Sequence, residues 1–280
     1  MLLITAILFA FSACSENEPS VPVTDITLNE STLTLVIGET ETLIATVTPD
    51  NADNQTVTWT SSNNAVATVS NAGVVTAVSA GTATIKAQAG GKTAACAVIV
   101  KDGVRIADVI WATRNVDAPG TFADNPQDFG MFFQWNRRQG WAATGYEFPN
   151  PMPDWDTSIP EGTAWYAEND PCPEGWRVPT EQELNSLRNQ PNTWEVNWND
   201  TGINVRVFGT APNQIFLPAA GLRISSNGGL FTVIIGGTGR YWSSTQSDSE
   251  RAQGWWVTPG SVGMLSYWRT YGFSVRCVAE

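Results

Sequence analysis

Gly81-Thr82-Ala83-Thr84-Ile85-Lys86-Ala87-Gln88-Ala89 alternates small or apolar residues with polar ones along its whole length. Such period-two alternation is typical of a β-strand with one buried face. Similar runs fill the surrounding segment, and turn residues such as Gly, Asn, Asp and Pro separate them. Residues 23–101 are therefore predicted to form an all-β sandwich. The predicted strands are Ile26–Leu28, Thr32–Ile37, Thr42–Val47, Thr56–Thr60, Ala65–Val69, Val74–Val78, Ala83–Ala89 and Ala94–Val100.

The composition of the chain changes near residue 102. Twelve of the 13 tryptophans follow residue 103, and the same segment holds 12 arginines but no lysine. A break of this size predicts two unlike domains in a chain of 280 residues. Arginine makes planar, bidentate contacts, so we expect ordered networks with carboxylates and indoles in the second domain.

Charge and composition exclude several function classes. The formal net charge of −12 disfavours binding to nucleic acids. The chain contains no histidine, which excludes Ser-His-Asp and Cys-His catalysis and HExxH metal sites. The four cysteines, at positions 14, 96, 172 and 277, lack the spacing of zinc ligands. We predict no catalytic residue, metal or cofactor, although composition leaves carboxylate-based enzymes open.

The first residues have the pattern of an export signal. Residues 2–11 are apolar but too few to span a membrane, which predicts a signal peptide over residues 1–13. The small residues before Cys14 resemble the lipobox of bacterial lipoproteins, and the acidic Ser15-Glu16-Asn17-Glu18 resembles the export signal of Bacteroidetes surface lipoproteins. These resemblances imply a lipid on Cys14 that anchors the protein in the outer membrane, at the cell surface, through a tether of residues 14–22. An ordinary secretory signal is the alternative.

The predicted sandwich carries several recognisable blocks. Val57-Thr58-Trp59-Thr60-Ser61-Ser62, Gly73-Val74-Val75-Thr76-Ala77 and Gly81-Thr82-Ala83-Thr84-Ile85 resemble the bacterial immunoglobulin-like group 2 domain over residues 23–101. The resemblance implies a spacer or adhesive stalk. Cys96 shares an alternating face with Val98 and Val100, so we expect a buried free thiol there.

One helix is predicted in the segment 102–280. Thr180-Glu181-Gln182-Glu183 is a capping box, Leu184 and Leu187 follow at helical spacing, and Pro191 ends the run. These signals predict a helix over residues 181–189. The predicted strands are Phe208–Leu217, Leu230–Ile235, Gly254–Thr258 and Phe273–Val278.

Three blocks of this segment resemble the Fibrobacter succinogenes major paralogous domain. They are Cys172-Pro173-Glu174-Gly175-Trp176-Arg177-Val178-Pro179-Thr180, Tyr241-Trp242-Ser243-Ser244-Thr245 and Gly272-Phe273-Ser274-Val275-Arg276-Cys277. The resemblance covers residues 102–280 and implies an α+β, loop-rich, C-type-lectin-like fold. In an oxidising exported compartment we expect Cys172 and Cys277 to form a disulfide. Pairing of Cys96 with either one stays open.

The tryptophans divide into two groups by their neighbours. Trp176 and Trp242 lie inside these blocks, and Trp111 and Trp135 lie inside two further blocks of the same resemblance, residues 111–116 and 130–136. All four are predicted to be core residues. Others are set among Gly, Pro, Asp and Asn. Adjacent Trp255 and Trp256 must face opposite sides of a strand, so one of them is expected at the surface. The preferred ligand-binding patch is Trp255, Trp256, Tyr267, Trp268 and Tyr271, and the other loosely placed tryptophans are Trp141, Trp155, Trp165 and Trp194.

One triplet and four loop aspartates are candidate calcium ligands. Trp198-Asn199-Asp200 matches a triplet with which C-type lectins hold calcium and sugar, but the second lectin motif is missing, and we predict a turn instead. Asp124, Asp128, Asp154 and Asp156 lie in proline-rich loops, where solvated carboxylates are the usual state.

The sequence thus predicts a lipid-anchored surface protein in which an Ig-like spacer presents a lectin-like head. That head is expected to bind a glycan or a host matrix ligand. One alternative is a structural subunit of a surface or fimbrial assembly. A second is a catalyst similar to the formylglycine-generating enzymes, whose site needs reactive thiols.

Overall fold

Short strands dominate residues 19–280, the part of the chain that a computed structural model describes. The signal peptide predicted at residues 1–13, Cys14 and the tether up to residue 18 lie outside the described residues. The described chain divides into two units. The first comprises the residues up to Leu33, Thr40–Val78 and Thr82–Ile99; the second comprises Thr34–Glu39, Ser79–Gly81 and Val100–Glu280.

Nine strands follow one another between residues 19 and 101. They pair in the orders β2-β9-β8-β5, β3-β7-β6 and β1-β4. The alternation of residues 81–89 gives the expected pattern, because Ala83, Ile85, Ala87 and Ala89 are buried. The strands are β1 (Asp25–Leu28), β2 (Thr32–Val36), β3 (Thr40–Thr42), β4 (Ala45–Thr48), β5 (Thr58–Ser61), β6 (Ala67–Val69), β7 (Val74–Ala77), β8 (Gly81–Ala89) and β9 (Lys92–Lys101).

The prediction of one strand over Thr42–Val47 is wrong. The segment is split between β3, which pairs with β7, and β4, which pairs with β1. Between them the amide of Leu43 donates to the carbonyl of Gly73, whereas the amide of Ile44 donates to the side chain of Asn29. The chain therefore changes sheets at these two residues, which an alternating pattern does not reveal.

Twelve further strands and one eight-residue α-helix belong to the described residues after 102. Their sheets have the orders β10-β11-β21-β14, β12-β13, β15-β16-β17 and β18-β19-β20. The elements are β10 (Gly103–Ile106), β11 (Val109–Ala112), β12 (Phe132–Phe133), β13 (Gly140–Trp141), β14 (Trp176–Arg177), α1 (Glu181–Arg188), β15 (Asn192–Glu195), β16 (Val205–Thr210), β17 (Asn213–Pro218), β18 (Gly239–Gln246), β19 (Arg251–Val257), β20 (Val262–Trp268) and β21 (Val278–Ala279).

The helix begins where the capping box predicts. The hydroxyl of Thr180 accepts the amide of Glu183, and the carboxylate of Glu183 accepts the amide of Thr180 at 2.8 Å. Leu184 and Leu187 are the buried residues of α1. The helix predicted at 181–189 is confirmed, one residue shorter.

Three of the predicted strands of this segment need correction. Phe208–Leu217 is a hairpin of β16 and β17, because the chain turns at Ala211–Pro212. Leu230–Ile235 is not a strand; it contains a 3₁₀ turn over Thr232–Ile234, in which the amide of Ile235 donates to Thr232. Of Phe273–Val278, Val278 belongs to β21, while Phe273 and Ser274 make isolated bridges.

Two apolar clusters lie on opposite sides of the sheet β18-β19-β20. One contains Trp242 and Phe273, whose rings stack at 4.2 Å between centroids. The other contains Tyr241 and Trp255, together with the leucines of α1. This sheet is therefore covered on both faces over much of its area, and both of its faces contribute to the core.

A disulfide joins Cys172 to Cys277 across 105 positions of sequence. Both cysteines are buried in the cluster that contains Trp242. Cys96 is a buried free thiol, as expected from the alternating face of β9. Burial raises the pKa of the Cys96 thiol, so the thiol form is favoured.

Three arginines of the second unit are buried almost completely: Arg223, Arg269 and Arg276. Their guanidinium groups donate mainly to backbone carbonyls, such as Ala112 and Phe216 for Arg276. Burial lowers the pKa of Arg276 to about 10, which leaves it a cation at neutral pH. The predicted networks with indoles occur at Arg269, 4.3 Å from the ring of Trp135. Instead of carboxylates, backbone carbonyls of strands and loops are the main partners of these three residues.

Candidate ligand-binding site

The predicted patch Trp255–Tyr271 is divided between the two faces of the sheet β18-β19-β20. Residues directly opposite in adjacent strands share a face. Trp255 lies opposite Tyr241 and Met264, whereas Trp256 lies opposite Arg240 and Gly263. The two adjacent indoles thus face opposite sides, as predicted, and the five aromatic residues do not form one surface.

Trp255 is a core residue, and its assignment to the binding patch is wrong. Its side chain has no exposed surface, and its ring lies 5.1 Å from that of Phe208. The apolar side chains of α1 and of the β16-β17 hairpin cover this part of the face. Any ligand would have to displace the core to reach the indole.

The other face carries a half-exposed group that we name the aromatic platform: Trp256, Tyr267 and Arg240. Trp256 lies against the backbone of Gly263, where an added Cβ would come within 3.0 Å of the indole. Tyr267 lies against Gly254 in the same way, at 2.7 Å. Aromatic rings that cover cross-strand glycines are held in place by the sheet itself.

Arg240 gives the platform a positive charge. Its guanidinium lies 5.9 Å from the ring centroid of Tyr267 and donates to the hydroxyl of Thr238 and the carbonyl of Gly239. Burial lowers the pKa of Arg240, and Tyr267 opposes this shift. Burial also raises the pKa of Tyr267, so the phenol stays protonated. Arg240 precedes the Tyr241-Trp242 block, and no local sequence signal marked it as a site residue.

Tyr271 supports the platform from the side. Its ring lies 6.1 Å from Tyr267 and 5.7 Å from Phe273. Tyr271 is half-buried, and its ring contacts place it among the residues that fix the orientation of Tyr267. The structure thus brings together three of the predicted patch residues: Trp256, Tyr267 and Tyr271.

Trp268 lies apart from these three residues. It is 39% exposed and lies opposite Arg251, on the face to which Trp255 belongs. The guanidinium of Arg251 lies 4.6 Å from the indole centroid, a cation–π distance. Arg251 already covers one face of this indole, which leaves less aromatic surface for a ligand.

The remaining tryptophans are mostly structural. Trp111, Trp135, Trp176 and Trp242 are buried, which confirms their prediction as core residues. Trp141 and Trp165, which the sequence placed in the loose group, are buried as well. Short strands and loops of this segment therefore both contribute indoles to the core.

The candidate calcium ligands, which are the triplet 198–200 and the loop aspartates, have other roles. Trp198–Asp200 is a short 3₁₀ turn, in agreement with the prediction of a turn. Asp128 accepts the amide of Asn125, and Asp156 pairs with Arg137. Within residues 19–280, no three carboxylate or thiol groups lie together as a metal site.

Comparison with protein families identifies the first unit. The model of the bacterial Ig-like domain (group 2) matches residues 22–99. Residues 22–99 form a bacterial Ig-like domain of group 2. This agrees with the three pairing orders of β1–β9 and with the resemblance of the sequence blocks. The Fibrobacter-type identity of the second segment is not tested by this match and stays a prediction.

Two curated relatives share part of the sequence. An "Ig-like virion protein" of Serratia phage KSP90 is 47% identical over 83 residues, which cover 29% of this chain and 32% of the phage protein. An uncharacterised protein of Clostridium acetobutylicum is 37% identical over 106 residues, which cover 37% of this chain and 11% of the relative. The chain therefore matches less than a third of each relative's length.

Solved structures with some likeness include an S-layer protein and a human protocadherin. Domains 4 and 5 of the S-layer protein SbsC have 26% identity and a TM-score of 0.24, covering 27% of this chain and 50% of that one. Human protocadherin-24 EC1-2 has 14% identity and a TM-score of 0.24, covering 90% and 95%. Scores this low carry no argument about fold or function. Among residues 19–280, the helices are too short to cross a membrane.

Proposed function

We propose that this chain is a non-enzymatic surface protein whose Ig-like domain is a spacer and whose second unit binds an acidic glycan at the aromatic platform. The observation that carries the proposal is the joint position of Arg240, Trp256 and Tyr267 on one half-exposed sheet face. Aromatic ring faces stack against the apolar side of a sugar ring, and an arginine binds a carboxylate in a planar, charge-assisted manner.

The charge of the platform decides between classes of glycan. Arg240 has five N–H donors, and the described residues accept hydrogen bonds from only some of these donors. A ligand carboxylate would satisfy further donors and balance the buried charge. Sugars with a carboxylate, such as uronic and sialic acids, therefore fit better than neutral ones at this position.

The chemistry of the second unit argues against the formylglycine-generating alternative. That reaction needs reactive thiols, and the two cysteines after residue 102 are joined in the disulfide. The chain also lacks histidine for general acid–base catalysis at neutral pH. A binding role needs neither group.

The cellular setting belongs to the same proposal. A lipid on Cys14 would attach the protein to the outer membrane, and the Ig-like domain of residues 22–99 would hold the second unit, with its C-type-lectin-like fold, away from the surface. Support comes from the sequence before residue 19 and from the use of Ig-like modules as spacers. Metabolic labelling with a fatty acid, lost in Cys14→Ser, tests the anchor.

A glycan array probed with the full chain tests the binding function. We expect acidic glycans to bind, and at least a ten-fold loss in Trp256→Ala and in Arg240→Gln. Trp268→Ala is the matched control, because it removes an exposed indole from the opposite face and should leave binding unchanged. Higher salt should weaken the interaction, since an ion pair contributes to it.

Two outcomes would contradict the proposal. One is a folded full chain that binds no acidic glycan on the array. The other is equal binding by the wild-type chain and Trp256→Ala, because the platform would then not be the site.

A further inference from the structure

A cleft of about 630 Å³ lies within the second unit, and none of the aromatic platform residues lines it. Its volume is in the middle of the range for ligand pockets, roughly 300–1,000 Å³. Most of its wall is apolar. The cleft can therefore hold a small molecule larger than a single amino acid. Its lining includes Arg138, Trp165, Asp170, Cys172, Glu174 and Trp176.

Two indoles and a half-cystine supply much of the apolar wall. Trp165 and Trp176 are each 8% exposed, so a ligand meets the edges of their rings. The indole N–H of Trp165 donates to the carbonyl of Asn169 at 2.9 Å. The ring of Trp176 makes an edge-to-face contact with Phe122 at 5.6 Å between centroids. These contacts hold both indoles in place without a ligand.

Asp170 fixes the loop that joins the two indoles. Its carboxylate oxygens accept the amide of Cys172 at 2.8 Å and the amide of Val178 at 3.0 Å. Burial raises the pKa of Asp170, and these two hydrogen bonds oppose the rise. The disulfide between Cys172 and Cys277 ties the same loop to the end of the fold. The wall is therefore formed before any ligand binds, which lowers the entropy cost of binding.

Two exposed charged groups of the lining form no salt bridge within residues 19–280: Arg138 and Glu174. The guanidinium of Arg138 donates to the carbonyl of Asp170 at 2.8 Å and keeps further N–H donors. In contrast, Arg177 is paired with Glu183 at 2.6 Å. The cleft thus offers one guanidinium and one carboxylate to a ligand.

The charges around the cleft are nearly balanced. Apart from the Arg177–Glu183 pair, the cationic groups are Arg138 and the nearby Lys101, and the anionic groups are Asp170, Glu174 and Glu280. A purely anionic ligand would be repelled by the carboxylates. A purely cationic ligand would leave the guanidinium unpaired. A molecule with both an ammonium and a carboxylate can pair with both kinds of group.

We propose that this cleft binds a short apolar peptide as a zwitterion. The carboxylate of the peptide pairs with Arg138, its ammonium pairs with Glu174, and its side chains lie against Trp165 and Trp176. The volume favours two residues over a single amino acid. This activity goes beyond glycan binding and does not depend on it, because the cleft and the aromatic platform share no residue.

An NMR titration of the full, disulfide-bonded chain at pH 7 tests this site. The probes are the dipeptide leucyl-leucine, its N-acetyl derivative, which lacks the ammonium, and its amide, which lacks the carboxylate. We expect leucyl-leucine to bind. Each blocked form should bind roughly three- to ten-fold more weakly, since one ion pair is lost at a partly exposed site.

Variants of the two exposed groups assign each ion pair. Arg138→Gln should weaken binding of leucyl-leucine but leave binding of its amide unchanged. Glu174→Gln should weaken binding of leucyl-leucine but leave binding of the N-acetyl form unchanged. Arg188→Gln and Glu168→Gln are the matched controls, because both remove exposed charges that do not line the cleft.

Three outcomes would overturn the proposal. One is a folded full chain that does not bind leucyl-leucine. Another is equal affinity for the dipeptide and its two blocked forms, because the ligand charges would then not be recognised. The third is a variant that weakens all three probes equally, since the substituted group would then not pair with the ligand. Peptide binding by a chain that binds no acidic glycan would contradict the platform alone.

Discussion

Trp255 and Trp256 show what adjacent positions in a strand can and cannot reveal. Alternation predicts that they face opposite sides, and they do. It does not predict which one is buried, because both faces of β18-β19-β20 are covered in part. That choice depends on Phe208 and Gly263, which belong to other strands. In a sheet with only one buried face, the alternating pattern would have shown which of the two indoles is buried.

The two indoles should therefore differ strongly in their effect on stability. We expect Trp255→Ala to lower the free energy of unfolding by about 3–5 kcal/mol, since it leaves a cavity beside Phe208. Trp256→Ala should cost clearly less, because its indole is half-exposed. Urea unfolding followed by tryptophan fluorescence measures this, as twelve of the 13 indoles lie after residue 103. Equal losses in the two variants would show that the assignment of faces is wrong.

The hydrogen-bond partners of the buried arginines cannot be predicted from the sequence. The absence of lysine after residue 103 signalled a special role for arginine. The main partners of Arg276, however, are an amide side chain and backbone carbonyls. Every residue has a backbone carbonyl, so the sequence does not show which carbonyls the fold will leave free to accept from an arginine.

Among helices and strands, the sequence predicts correctly those elements whose signals are local. The α-helix depends on Thr180, Glu183 and two leucines within eight positions, and all of them act as expected. The strand predicted at Leu230–Ile235 was apolar enough, but its amides bond within a tight turn. Strand pairing requires a distant partner, and an apolar run does not show whether that partner exists.

The helix start should be sensitive to acid through Glu183. Burial acts to raise the pKa of this carboxyl, but hydrogen bonds from Arg177 and Thr180 outweigh it, so the pKa is below its usual 4.5. A carboxyl whose pKa is lowered by folding stabilises the fold above its unfolded pKa, and this contribution is lost as pH falls through the folded pKa. The described chain should therefore lose stability as the pH falls below about 4.5.

Glu183→Gln isolates this contribution. At pH 7 we expect it to lower the free energy of unfolding by about 0.5–1 kcal/mol, because the partly exposed ion pair with Arg177 is lost, whereas the amide oxygen of glutamine can still accept the amide of Thr180. Near pH 3 the difference from wild type should shrink. Urea midpoints at both pH values measure it, with Glu181→Gln as control on the same turn. A difference that is the same at pH 7 and pH 3 would contradict the assignment.

The composition of the chain and its division into compact units both change near residue 100. The composition break predicted a boundary near residue 102, the family match ends at residue 99, and the long segment of the second unit begins at Val100. The strands of the Ig-like part can be predicted from the sequence because each repeats the same local alternation of apolar and polar residues. The second part has short strands joined by long loops, and its order depends on buried arginines, indoles and the disulfide.

The disulfide should stabilise the second unit selectively. Cross-linking residues 105 positions apart restricts the unfolded chain, by about 4–5 kcal/mol at most on the chain-entropy model. We expect the double variant Cys172→Ala/Cys277→Ala to lose roughly 2–5 kcal/mol in that unit. Cys96→Ala is the matched control, because it removes a buried cysteine of the Ig-like domain that makes no disulfide.

Hydrogen exchange with mass spectrometry measures both units in one sample, through peptides from β8 and β9 and from β18 to β20. Faster exchange confined to β18–β20 in the double variant, and to β8 and β9 in Cys96→Ala, is the expected result. Unchanged protection of β18–β20 without the disulfide would mean that the apolar clusters and the buried arginines suffice to hold this loop-rich unit together.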